Sequence, residues 1–137
     1  TLKKTFNDNP NSTLLTIALS NTIGNVYMSD RGISSQIVNE ESGAKIAINT
    51  IDNLFYEKDI KITYIKADLE GYDLKALQGA SKTIKKYSPK IAITTYHEPE
   101  HANEIRKLIL SINPEYKILI KGISQYSGCP IMLHAWV

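Results

Sequence analysis

Residues 62–100, ITYIKADLEGYDLKALQGASKTIKKYSPKIAITTYHEPE, decide how this chain folds. Ile62–Ala67 predicts a short strand. Asp68-Leu69-Glu70-Gly71 follows, and Gly71 permits a tight turn into the next element. Over Tyr72–Tyr87 the apolar residues Leu74, Leu77, Ala80, Ile84 and Tyr87 share one stripe at helical spacing, which predicts one amphipathic helix. Pro89 stops it, and Ile91–Tyr96 reads as the next strand.

Working outward, Pro99–Ile112 predicts a second helix. Pro99 stands where its missing N–H costs nothing, and Ile105, Leu108, Ile109 and Ile112 face inward. Tyr116–Lys121 and Ile131–Trp136 have no room for a helix between them and are expected as antiparallel neighbours. Upstream, Leu14–Leu19 is an apolar run of strand length, Asn21–Asn25 is turn chemistry, and Val26–Met28 suggests a hairpin partner. Ser29–Lys45 lacks periodicity and reads as a long loop, either a lid or unstructured. Ile46–Ile48 looks extended, and Thr50 or Asp52 caps a short helical turn. Alternating strands and helices that close on two adjacent strands predict an α/β sheet ending in an antiparallel hairpin.

With 137 residues, 42% hydrophobic and 22% charged, the chain is expected to form a single domain over residues 1–137. Sixteen basic and fourteen acidic residues leave a net charge of +2, which gives no support to a nucleic-acid partner. Cys129 is the single cysteine, so an internal disulfide and a thiolate zinc cluster are excluded. The apolar runs fall far short of a membrane span, and a cytoplasmic location is the expectation. The first residue is Thr, so Thr1 is expected to mark a cut.

Two constellations carry chemistry. Asp68 and Glu70 sit at the carboxyl end of a predicted strand, where ligands bind in open α/β sheets. Two carboxylates there can orient a cofactor, accept a proton or hold a metal ion; alternatively Asp68 caps the following helix and Glu70 complements its dipole. His97-Glu98-Pro99-Glu100-His101 matches H-E-x-x-H, a zinc motif when both His residues stand on one continuous helix. Pro99 at the first helical position puts His97 outside that helix, and no third ligand is obvious beyond Glu104 and His134. His97 is of interest by itself, at a strand end beside Asp68. Cys129 and His134 lie five apart, but a lone Cys in a turn more often packs than reacts. Of the eight Tyr, only Tyr72 and Tyr96 fall near this site. No G-x-G-x-x-G or P-loop occurs.

Ile65 to Asp73, followed by Leu77-Gln78-Gly79-Ala80, resembles the K-x-D-x-E-G-x-E…L-x-G-A signature of FkbM-type methyltransferases. Ala18-Leu19-Ser20-Asn21 with Gly24, and Thr50-Ile51-Asp52-Asn53-Leu54, resemble two further segments of that family in order and spacing. The resemblance implies a class I, Rossmann-like fold and methyl transfer from S-adenosylmethionine to a hydroxyl of a sugar or small natural product. It implies Asp68 and Glu70 at the active end of a strand, Asp68 also near the cofactor, and Ala18, Leu19 and Ser20 near the adenine. His97 becomes the catalytic base, a role suited to an imidazole.

The departures are also informative. Thr95 stands where the family often has Glu, and Asp73 where it usually has Glu. The first two strands of the family sheet and its Gly-rich loop have no counterpart in these residues, so the chain resembles the C-terminal portion of such a domain. It is then expected to be inactive alone, with an incomplete cofactor site. Leu14–Leu19, robbed of its neighbours, is expected to pair with Ile62–Ala67 or with another chain, giving a homo-oligomer through strand edges. Partners are otherwise a small-molecule or sugar acceptor, with no nucleic acid, membrane or metal. Two competing readings are a non-catalytic α/β binding module and a metal-dependent hydrolase built on His97 and His101.

Overall fold

The computed structural model describes residues 9–29, 36–38 and 44–137. Its second half keeps the predicted order of strands and helices, with the helix expected over Tyr72–Tyr87 broken in two. Strands β5 (Tyr64–Ala67), β6 (Lys90–Thr94), β7 (Lys117–Ile123) and β8 (Pro130–Trp136) form a sheet in the order β5-β6-β8-β7. β5 and β6 run parallel because a helical crossover joins them, while β8 is antiparallel to both β6 and β7. β6 is buried at every position but its first, and it is paired along both edges, by β5 and β8.

The helices α2 (Asp73–Gln78), α3 (Ser81–Tyr87) and α4 (His101–Ile112) supply the apolar layer. Leu77, Ile84, Ile105 and Ile109 meet Ile65, Ile91, Ile93, Leu133 and Ala135 from the strands in one cluster. Burying each such aliphatic side chain contributes about 1.5–3 kcal/mol. Because side chains alternate along a strand, the neighbours of these residues point the other way. That second face holds Tyr64, Lys90, Leu119, Lys121, His134 and Trp136 around an open concavity of about 370 Å³.

The first half contains β1 (Ala18–Leu19), β2 (Gly24–Ser29), β3 (Gln36–Val38) and β4 (Ala44–Asn49), in the order β1-β4-β2-β3. β1 is parallel to β4, and β2 is antiparallel to both β3 and β4. Three expectations are corrected here. β1 pairs with β4 and not with the strand that ends at Ala67; its regular part is confined to Ala18–Leu19. The strand after Asn21–Asn25 makes no hairpin with β1 and joins β4 and β3 instead. The stretch 29–45 is no plain loop, since β3 and the start of β4 lie within it. Residues 30–35 and 39–43 lie outside the described residues, so the choice between lid and unstructured loop stays with them.

Thr50 caps the short helix α1 (Ile51–Leu54), its hydroxyl accepting from Asn53 N at 3.0 Å. The helix expected over Tyr72–Tyr87 is broken into α2 and α3, and Asp52 explains the break. Gly79 O is taken by Asp52 N at 2.8 Å, and Gln78 O by the Ser81 hydroxyl at 2.7 Å. The amides that a continuous helix would have turned to those carbonyls find the Asp52 carboxylate: Lys82 N at 3.0 Å and Thr83 N at 2.8 Å. Asp52 therefore caps α3 from a distant part of the chain. Among the described residues no helix is long and apolar enough to cross a membrane.

Candidate active site

Asp68, Glu70 and His97 converge at the carboxyl ends of β5 and β6, as their sequence positions predict. His97 Nε2 lies 3.0 Å from Asp68 Oδ1, and Nδ1 lies 3.6 Å from Glu70 Oε2. The imidazole is 11% exposed, whereas the carboxylates are 46% and 53% exposed. Asp68 also accepts from the Thr94 hydroxyl at 2.8 Å. The His97 and Thr94 hydrogen bonds hold the Asp68 carboxyl below its ordinary pKa against the opposing effect of partial burial. Asp68 is thus an ionised acceptor, and the ring nitrogen facing it carries a proton. In neutral His97 that leaves the Nδ1 lone pair free, and at 3.6 Å it makes no hydrogen bond with Glu70.

The turn that delivers the carboxylates is strained. Glu70 has φ 51° and Gly71 φ 93°, and Tyr72 N closes the turn on Leu69 O at 3.0 Å. Two left-handed central residues define a primed turn, natural for glycine but costly, about 1–3 kcal/mol, for Glu. At Gly71 it is the positive φ that favours glycine, since an added Cβ would meet His97 Cβ at 4.0 Å, an ordinary contact.

Asp73 holds that turn in place. Its two oxygens accept from Leu69 N at 3.2 and 3.3 Å, and the side chain is fully buried. Burial pushes its carboxyl pKa up, only partly offset by backbone hydrogen bonds and the nearby His101 and His97. Sequence reasoning missed Asp73 and Thr94 as site-forming residues. A signal did exist for Asp73, an acidic residue in the first turn of a helix that follows a glycine turn.

The remaining sequence candidates are scattered. Ala18 and Leu19 lie in β1 and Ser20 just after it, in the other sheet, with Ser20 N bonded to Asn49 O at 2.9 Å. No hydrogen bond or ion pair among the described residues joins them to the Asp68 cluster. Thr95, at the family's Glu position, is buried and donates to Pro130 O at 2.7 Å, tying β6 to β8. His101 opens α4, buried and with Nδ1 lacking a hydrogen-bond partner. Asp68, Glu70 and His97 each offer a ligand atom within 4.8 Å of the others and could hold a cation. His101 does not belong to that group, because the helix starts after Pro99; the pairing a hydrolase needs is absent.

Comparison with known proteins places the fold and the family. The crystal structure of the methyltransferase FkbM from Methylobacillus flagellatus KT matches with a TM-score of 0.73 and 24% identity. The match covers 98% of this chain and 32% of that protein, so the chain spans about a third of its length. No curated protein matches. The family model of the methyltransferase FkbM domain matches residues 5–117, a span that includes the Asp68 turn, the Gly79-Ala80 break and His97. With the match running from the first sheet through β5, β6 and α4 and including Asp68, Glu70 and His97, the chain belongs to the FkbM methyltransferase domain family.

Proposed function

We propose that this chain carries the catalytic face of an S-adenosylmethionine-dependent O-methyltransferase acting on a hydroxyl of a sugar or small natural product. The observation that carries the proposal is the Asp68–His97 contact at 3.0 Å, with Nδ1 left available. When bound, S-adenosylmethionine supplies a methyl group on a cationic sulfonium and departs as the neutral thioether. The donor set suits such a cation, because Asp68 and Glu70 place two carboxylates beside one another, and among the described residues no Lys or Arg is bonded to either. Ala18, Leu19 and Ser20 would approach the adenine.

His97 accepts the acceptor hydroxyl's proton on Nδ1 as the oxygen takes the methyl group. Asp68 fixes the ring orientation and stabilises the imidazolium that results, and Thr94 fixes Asp68. Positioning of two substrates in line supplies the rest of the rate. In this proposal the fold is a class I sheet in which β1 and β5 border a seam. Each pairs on one side only among the described residues, and the first two strands of the class would join them there. Those strands, or another chain, would complete the cofactor site, so residues 1–137 alone are expected to bind the cofactor poorly and to be inactive.

The test is transfer of a labelled methyl group from S-adenosylmethionine to a panel of glycosides by the full polypeptide carrying this sequence. His97→Ala is expected to lower kcat about 10²–10⁴-fold, the usual range for a lost general base. Full activity in His97→Ala, or activity that requires an added divalent cation, would overturn the assignment.

A further inference from the structure

A second concavity adjoins the site. Tyr96, Ile123, Ser124, Gln125, Tyr126 and Ile131 line a space of about 480 Å³, within the range that holds a drug-sized ligand. Its wall touches the chemistry directly, since the rings of Tyr96 and His97 lie 4.1 Å apart, tilted at 38°. Tyr126 is 92% exposed, yet the β7–β8 turn that carries it is closed by a dense set of bonds. Ser124 N donates to Cys129 O at 2.9 Å and Gly128 N to Ser124 O at 2.8 Å, while the Ser124 hydroxyl accepts from Tyr126 N and Ser127 N. An aromatic ring held in water by an ordered turn is a surface prepared for a partner.

The lining says what kind of partner. It contains two aromatic rings, two isoleucines and two neutral polar groups, and no charged side chain. Beside it stand Asp68 and Glu70, whose negative field raises the Tyr96 hydroxyl pKa, with Asp68 contributing most and burial next. A phosphorylated or carboxylated ligand would enter that field with no cation among the described lining residues to meet it.

We infer that this concavity binds the acceptor, and that the acceptor is an uncharged hydroxylated ring compound stacked on Tyr126 with its reacting hydroxyl toward His97. The inference rests on the methyltransferase proposal and adds the charge class of the substrate to it. The probes are 4-nitrophenyl β-D-glucopyranoside and its 6-phosphate, with binding followed by saturation-transfer NMR on the full polypeptide. The neutral glycoside is expected to bind, and its phosphate at least tenfold more weakly. Tyr126→Ala is expected to weaken the neutral glycoside about tenfold and Tyr126→Phe to leave it unchanged, as stacking requires. Tyr126 is too exposed for either change to unfold the chain. Tighter binding of the phosphate, no binding of the neutral ring, or indifference to Tyr126→Ala would each overturn the inference. S-adenosylhomocysteine is titrated in parallel. Its binding without glycoside binding leaves methyl transfer standing and removes the pocket; the reverse keeps the pocket and removes methyl transfer.

Discussion

At the scale of single residues, the turn that carries Asp68 and Glu70 is organised by a buried carboxylate, Asp73. Asp73 is buried and bonded to Leu69 N, so its loss leaves that amide unpaired beneath the turn that carries Asp68 and Glu70. Asp73→Ala is expected to cost about 1–3 kcal/mol, read from chemical denaturation. Asp73→Asn keeps an acceptor for Leu69 N and sheds the charge, so it should cost less. The pH dependence has a definite sign. Burial raises the Asp73 pKa above 3.8 in the folded state, so the fold holds this proton more tightly than the unfolded chain. Its contribution is fullest below pH 3.8 and is lost as pH rises through the folded value. Measured at pH 4 and pH 7, the stability of Asp73→Asn relative to the parent chain should therefore improve as pH rises. Asp68 has the opposite sign: its pKa is depressed, so its contribution is present above pH 3.8 and lost as pH falls below that. The Asp68–Glu70–His97 grouping was legible in the sequence because all three residues follow predicted strands. Asp73 left only its place in the first turn of a helix as a signal, and Thr94 none, because its value lies in a hydrogen bond to a partner 26 residues away.

At the scale of elements, the split between α2 and α3 shows where periodicity misleads. Leu74, Leu77, Ala80 and Ile84 keep helical spacing across the break, so the apolar stripe alone predicts one helix. The break is imposed by tertiary contact: Asp52 captures both the carbonyl and the amides that the continuous helix would have used. Asp52→Ala is expected to destabilise the protein by about 0.5–2 kcal/mol, the usual cost of a lost cap, with thermal melting as the measure. The strand β3 was out of reach of the sequence, and the strand expected over Leu14–Leu19 is regular only at Ala18–Leu19 (β1). Both owe their existence to the neighbours they pair with, and neither has the length for a periodic signal of its own.

At the scale of the molecule, the two sheets differ in how well they are buried. β6 and β8 lie in the middle of the second sheet and carry Ile91, Ile93, Leu133 and Ala135 into the core. In the first sheet, β4 has no fully buried residue. Amide hydrogen exchange is expected to be slowest over Ile91–Thr94 and Leu133–Ala135, and faster by orders of magnitude over Val26–Tyr27 and Lys45–Ala47. Uniform protection across both sheets would contradict this. The α/β class and the antiparallel ending were readable from the order of strands and helices. The division into two sheets was not, because strand order depends on pairings distant in sequence.

The steric fit at Gly79 has a consequence for descent. Its φ of −73° suits any residue, yet a Cβ there would stand 2.1 Å from Ser20 O, an overlap that backbone cannot yield to cheaply. A glycine at this place in the signature is therefore kept by shape and not by chemistry. A descendant that had lost His97 and every trace of catalysis would be held to the same glycine. In surveying relatives, the Leu77-Gln78-Gly79-Ala80 segment reports that the architecture persists, while the proposed catalytic role is to be traced through the residues around Asp68 and His97.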